Sequence, residues 1–153
     1  MEFIIYAVIA IGPVIVGYIF GNISEKKHYQ SIQKREAELI NLPSVPMQHA
    51  WDESAPIRSA NLVVGGVVIS NDYFKSMIAN LTGFFGGRMI GYESLIDRAR
   101  REALIRMKEH AKGSDVIVNT KIETVPIGEN AGSDRSPDGI EALAYGTAIT
   151  YQK

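Results

Sequence analysis

The sequence predicts an α+β fold: a small antiparallel or mixed sheet with its helices on one face, preceded by one transmembrane helix. Three observations carry this expectation. An uncharged apolar run fills residues 3–23. Strand-like stretches of period two lie on both sides of a long stretch of helical period. The last strand, 141–151, alternates a large face (Leu143, Tyr145, Thr147, Ile149, Tyr151) with a small one (Ala144, Gly146, Ala148, Thr150).

Composition narrows the class of function. The chain has 153 residues, 46% of them hydrophobic, with 16 Lys and Arg against 17 Asp and Glu. Such a chain is too apolar for disorder. It is also too evenly charged to hold nucleic acid through bulk charge, so no nucleic-acid partner is expected. The absence of cysteine excludes a disulfide scaffold, a zinc–thiolate cluster and a Cys nucleophile.

Residues 3–23 hold sixteen hydrophobic residues and no charge. As a helix they would span roughly 31 Å, which matches a bilayer core of about 30 Å. Glu2 precedes the run, while Lys26, Lys27, Lys34 and Arg35 follow it. Positive charge stays on the cytoplasmic side. The expectation is a single pass through the inner (plasma) membrane, with the lipid bilayer as a partner, the N-terminus outside and the domain cytoplasmic. Residues 24–46 then read as a helical stalk and linker. Tyr29, Ile32, Glu36 and Leu39 give only a thin stripe, and Pro43 and Pro46 end the helix.

The folded domain is expected over 47–153. A short strand is expected over 47–51 and a buried one over 61–70, where Gly65 and Gly66 suggest a bulge or a close neighbour. Phe74, Met77, Ile78 and Leu81 share one face of a helix over 71–81. A glycine-rich break, 82–88, leads into a helix over 92–112 with the stripe Tyr92, Leu95, Ile96, Ala99, Ala103 and Met107. Gly113 stands where a helix-ending residue belongs. Strands over 115–125 and 141–151 follow, joined by a long loop at 126–140. The small face of the last strand suits the small centre of the helix, Ala99 and Ala103. The large face then lacks a cover within the chain, which predicts self-association.

The chemistry-bearing residues are sparse. His28, His49 and His110 form no metal-binding spacing; His49 and His110 are the candidate metal ligands, with Asp52, Glu53 or Asp115 as oxygen donors. Arg88 beside Gly86 and Gly87 offers a grip for a carboxylate or phosphate, but no Gly-Lys-Ser/Thr ending follows, and a helix-to-helix turn that uses glycine freedom is the preferred reading. Asp97–Arg101 and Glu102–Arg106 are favourable pairs one helical turn apart. No nucleophile is paired with a base by spacing, so no enzyme is expected and no cofactor is required.

In order and spacing the chain resembles the YbjQ family, whose domain is named for heavy-metal binding. The matching stretches are VVGGVVISNDYF (63–74), FFGGRMIGYESLIDRARREAL (84–104), KGSDVIVNTKIET (112–124) and AYGTAITY (144–151). Gly86-Gly87-Arg88 and Tyr92-Glu93 carry the family's glycine turn, and these five residues are the expected interface or ligand turn. Ser114 stands where the family has alanine, and the loop 126–140 is longer than in compact members. The resemblance, over 57–152, implies small α/β chains assembled into pentameric rings. It therefore implies a homopentameric scaffold or interaction protein. Metal binding at subunit interfaces and a small-anion or enzymatic role for Arg88 are its alternatives.

Overall fold

A computed structural model describes residues 2–49, 54–70, 90–128 and 137–152. Helix α1 runs over Glu2–Glu38, strand β1 over Ile57–Ser70, helix α2 over Ile90–His110, strand β2 over Val116–Ile127 and strand β3 over Gly139–Tyr151. The strands form one antiparallel sheet in the order β1-β3-β2, so the last strand lies in the middle. The expected helix over 71–81 and the glycine-rich break lie outside the described residues.

The small face of β3 determines how α2 sits. Ala142, Ala144 and Ala148 are buried, and they share one core with Ala99, Ala103 and Met107 of α2 and with Val63 and Val67 of β1. Gly65 makes the closest approach: a Cβ added there would stand 2.3 Å from the Ala103 carbonyl oxygen and from the Met107 backbone nitrogen. Of the two glycines, Gly65 therefore has the close neighbour. Gly66 faces away, where a Cβ would meet only Leu143 Cδ1 at 3.6 Å. The turn that follows His110 reaches Gly113, whose φ of +94° is accessible to glycine at little cost.

The other face of the sheet is open. Leu62 and Val68 of β1 are 73% and 59% exposed, and Val125 and Leu143 are exposed beside them. The large face of β3 is not bare along its whole length, however. Ile149 is buried with Val116 and Val118, and Val45 packs against them. The segment expected as a linker thus acts as a short fourth strand. Ser44 bridges Ile117 in parallel, Val45 N donates to Ile117 O at 2.9 Å, and Ile117 N donates to Pro43 O at 2.9 Å. Prolines forbid helix here without forbidding an edge strand. β2 is bulged between Val118 and Lys121, where Asn119 takes a φ of +52°. That irregularity turns Asn119 N toward Met47 O and Thr120 N toward Val45 O.

The expected stalk also differs. α1 is one unbroken helix through residue 38, and its second half lies along the outer side of α2. Ile32 and Leu39 are buried with Ile105. The stripe Tyr29, Ile32, Glu36, Leu39 is the docking face, too thin to form a core alone but matched in charge by α2.

The expected membrane localisation is corrected. Among the described residues, no helix is long and apolar enough to cross a membrane. Within 3–23, side chains are described only at Gly12, Ile15, Val16, Ile19 and Ile23, and this statement concerns those positions. The same helix continues without a break into Glu25, Lys26 and Lys27 and then docks on α2.

Candidate functional site

The sequence-predicted turn is only partly described. Gly86, Gly87 and Arg88 lie outside the described residues. Tyr92 stands in the first turn of α2, with its side chain outside the described set, and Glu93 is exposed one residue on. Glu93 lies on the rim of a groove of about 380 Å³ beside α2, with Ile96, Leu104 and Ile122 on its floor and Arg100 on its other rim.

The candidate metal ligands are not brought together. His49 is exposed in a bend before the sheet. His110 ends α2, with Nδ1 2.6 Å from the Val64 carbonyl oxygen. Asp115 accepts a hydrogen bond from Tyr151 N at 2.9 Å, a structural task at the sheet's end. Asp52 and Glu53 lie outside the described residues. Among the described residues, no group of three or more His, Asp or Glu side chains can hold a metal ion. The described donor set therefore does not fit a metal centre.

What the fold does concentrate is charge, in the seam between α1 and α2. Glu102 is 3% exposed. Its carboxylate accepts hydrogen bonds from Arg35 and, at 2.9 Å, from Arg106 Nε, while His28 Nε2 lies 3.7 Å away. The residue before Glu102, Arg101, grips Glu36 with two bonds of 2.8 and 2.6 Å. Arg101 also lies over the Tyr29 ring, 5.8 Å from its centre.

Burial pushes the Glu102 carboxyl up, but the hydrogen bonds from Arg35 and Arg106 outweigh it, so the group stands below its ordinary value. The Arg101 hydrogen bond lowers Glu36 likewise. Burial lowers His28, against the pull of Glu102 and with the push of Arg98, Arg35 and Arg106, so its neutral form is favoured. The seam is thus an ionic clasp between two helices, in which Arg35 and Arg106 hold Glu102 and Arg101 holds Glu36.

The pairs Asp97–Arg101 and Glu102–Arg106, legible at helical spacing, are present at 3.5 and 2.9 Å. Their long-range partners Arg35 and Glu36, some 65 residues away in the chain, were not. The available signal was the stripe itself, with Glu36 set between Ile32 and Leu39.

The second feature is the open sheet face. Paired rows run across it: Leu62 beside Thr147, Val64 beside Tyr145 and then Lys121, Gly66 beside Leu143 and then Glu123, Val68 beside Glu141 and then Val125. Aliphatic rows near the β1 side pass into charged ones near β2.

Residues 49–152 match the YbjQ family model, described as "Putative heavy-metal-binding". α1 lies outside that match. A UPF0145 protein of Hahella chejuensis is 32% identical over 116 residues, which cover 74% of this chain and 98% of that protein. A UPF0145 protein of Dehalococcoides mccartyi is 33% identical over 95 residues, covering 61% of this chain and 84% of the relative. One of Methanocella arvoryzae is 34% identical over 90 residues, with 58% and 68% covered. A solved structure of a protein of unknown function from Pediococcus pentosaceus, of the DUF74 family, overlaps 72% of this chain and 98% of its own at 18% identity, with a TM-score of 0.45.

Proposed function

We propose, from the premise that this chain belongs to the YbjQ family, that it works as a self-assembling scaffold and not as an enzyme. The observation that carries the reading is the open sheet face. Leu62, Val68, Val125 and Leu143 lie in one exposed field, a kind of surface that marks an interaction site.

The occupant proposed is a second copy of the chain. A ring needs two different surfaces on each subunit, so that contacts run head to tail. The groove beside α2 supplies the second surface: Ile96, Leu104 and Ile122 line it with apolar side chains, among Glu93, Asp97, Arg100 and Arg101. The face carries exposed Lys121, Glu123 and Glu141 among its aliphatic residues. Face and groove match in apolar character. The ring number, five, comes from the family resemblance alone.

Heavy-metal binding is the reading that the family description carries. No observation in the structure favours it, since among the described residues no three His, Asp or Glu side chains are grouped to hold an ion. Sedimentation equilibrium on the full chain tests the scaffold. The expected mass is several times 16.8 kDa, and Leu143→Glu should lower it with the melting temperature nearly unchanged. A monomer, or a mass that Leu143→Glu leaves unaltered, would reject the face as an interface.

A further inference from the structure

β1 is an edge strand, and its backbone groups alternate in direction. In the central strand, Ile149 O accepts from Asp115 N on the β2 side at 2.9 Å, so its neighbour Ala148 turns toward β1, where it pairs with Asn61. Past the register shift between Ile57 and Ser59, odd residues of β1 therefore bond β3, and even residues direct N–H and C=O outward. Two outward carbonyls are capped from α2. Arg106 Nη1 donates to Gly66 O at 2.8 Å, and the His110 ring lies against Val64 O.

The caps stop there. Ala60 and Leu62 are exposed, and among the described residues no group bonds their outward N–H or C=O. The opposite edge of the sheet is blunted. There the segment 43–47 spends Val45 N and O on β2, and Pro43 and Pro46 have no N–H to offer.

We propose that the outer edge of β1, from Ala60 to Leu62, pairs antiparallel with the same segment of a second copy of this chain, joining two sheets into one. One receptive edge and one blunted edge cannot build a chain of sheets. They allow a two-fold pairing that closes on itself. A two-fold axis near Asn61 sets Ala60 of one copy opposite Leu62 of the other, so no like charges face each other. His110 and Arg106 end the shared ladder at Val64. The contact goes beyond the scaffold reading, since it uses the edge rather than the face and joins one assembly to another.

Ala60→Pro tests it, because proline at an outward position removes an N–H that β3 does not use. On the full chain, sedimentation equilibrium should show the mass halved with the cooperative melt retained. An unchanged mass overturns the proposal. Amide exchange in the unsubstituted chain gives a second reading that needs no variant. The Ala60 and Leu62 amides should slow by at least ~10-fold as concentration rises into the assembled range. Unprotected exchange in the assembled state overturns the proposal as well. Leu143→Glu separates the two contacts: it should leave an edge-paired dimer. A monomer would remove the edge contact and leave the face reading intact.

Discussion

On its inner side α2 meets the sheet through Ala99, Ala103 and Met107, all fully buried; on its outer side it meets α1 through Arg101, Glu102 and Ile105. The inner contact rests on small residues that let backbones touch, with Gly65 beneath Ala103 and Met107. Its stability comes from apolar area and dispersion, which depend little on pH or salt. The outer contact has one small apolar cluster and a row of charge-assisted hydrogen bonds around a buried carboxylate. Such a contact depends on every partner being present, because a buried charge left alone is costly. One helix thus carries a fixed attachment and a conditional one.

The largest expected effect breaks the inner contact. Gly65→Ala puts a Cβ against helix backbone, which cannot move as a side-chain tip can, and should cost about 3 kcal/mol or more. Urea unfolding followed by circular dichroism measures it, and a cost below about 1 kcal/mol would mean that α2 does not lie on Gly65. The next effect breaks the outer contact. Arg35→Ala leaves Glu102 with Arg106 and a weaker shell, at about 2 kcal/mol. Hydrogen exchange should show residues 25–38 losing protection while β2 and β3 keep theirs. Equal loss in both would merge the two contacts into one cooperative unit.

Acid should sharpen the difference. Glu36 and Glu102 stand below their ordinary value of 4.5 in the folded chain, so their stabilisation is present above that pH and is lost as pH falls through the folded values. His28 stands below its ordinary 6.5, so the unfolded chain takes up its proton first, and stability falls as pH drops below 6.5. All three act in one direction. Exchange in α1 should rise between pH 6.5 and 4 before any change in the sheet, and simultaneous loss would contradict the ordering. Salt gives the smallest effect. At roughly 1 M NaCl the partly exposed Arg101–Glu36 pair should weaken, while the buried Glu102 bonds resist screening.

The inner contact was legible in the sequence and the outer one was not, for a physical reason. The strand period exposes a small face in Ala144, Gly146 and Ala148, the helical period aligns Ala99 with Ala103, and two small surfaces imply close packing. Both patterns are local. The clasp joins Arg35 to Glu102 and Glu36 to Arg101, and no local period reports which distant charges will meet. The strand at 43–47 was hidden for a related reason: its backbone is satisfied by β2 beside the Asn119 bulge, and Pro43 and Pro46 read as a linker. The membrane expectation rested on length and charge alone, and no described helix meets what a span requires. Of the expected site, Gly86–Arg88 lies outside the described residues, and the histidines proved to be scattered. The sheet face proved open from Leu143 to Thr147 and closed at Ile149, where Val45 covers it.

The central claim is that the open face joins copies of the chain. Sedimentation equilibrium of the full chain beside its Leu143→Glu variant tests it most directly. The account predicts a mass several times 16.8 kDa that falls to the edge-paired dimer in the variant, with melting nearly unchanged. A monodisperse 16.8 kDa species for the unsubstituted chain would contradict it.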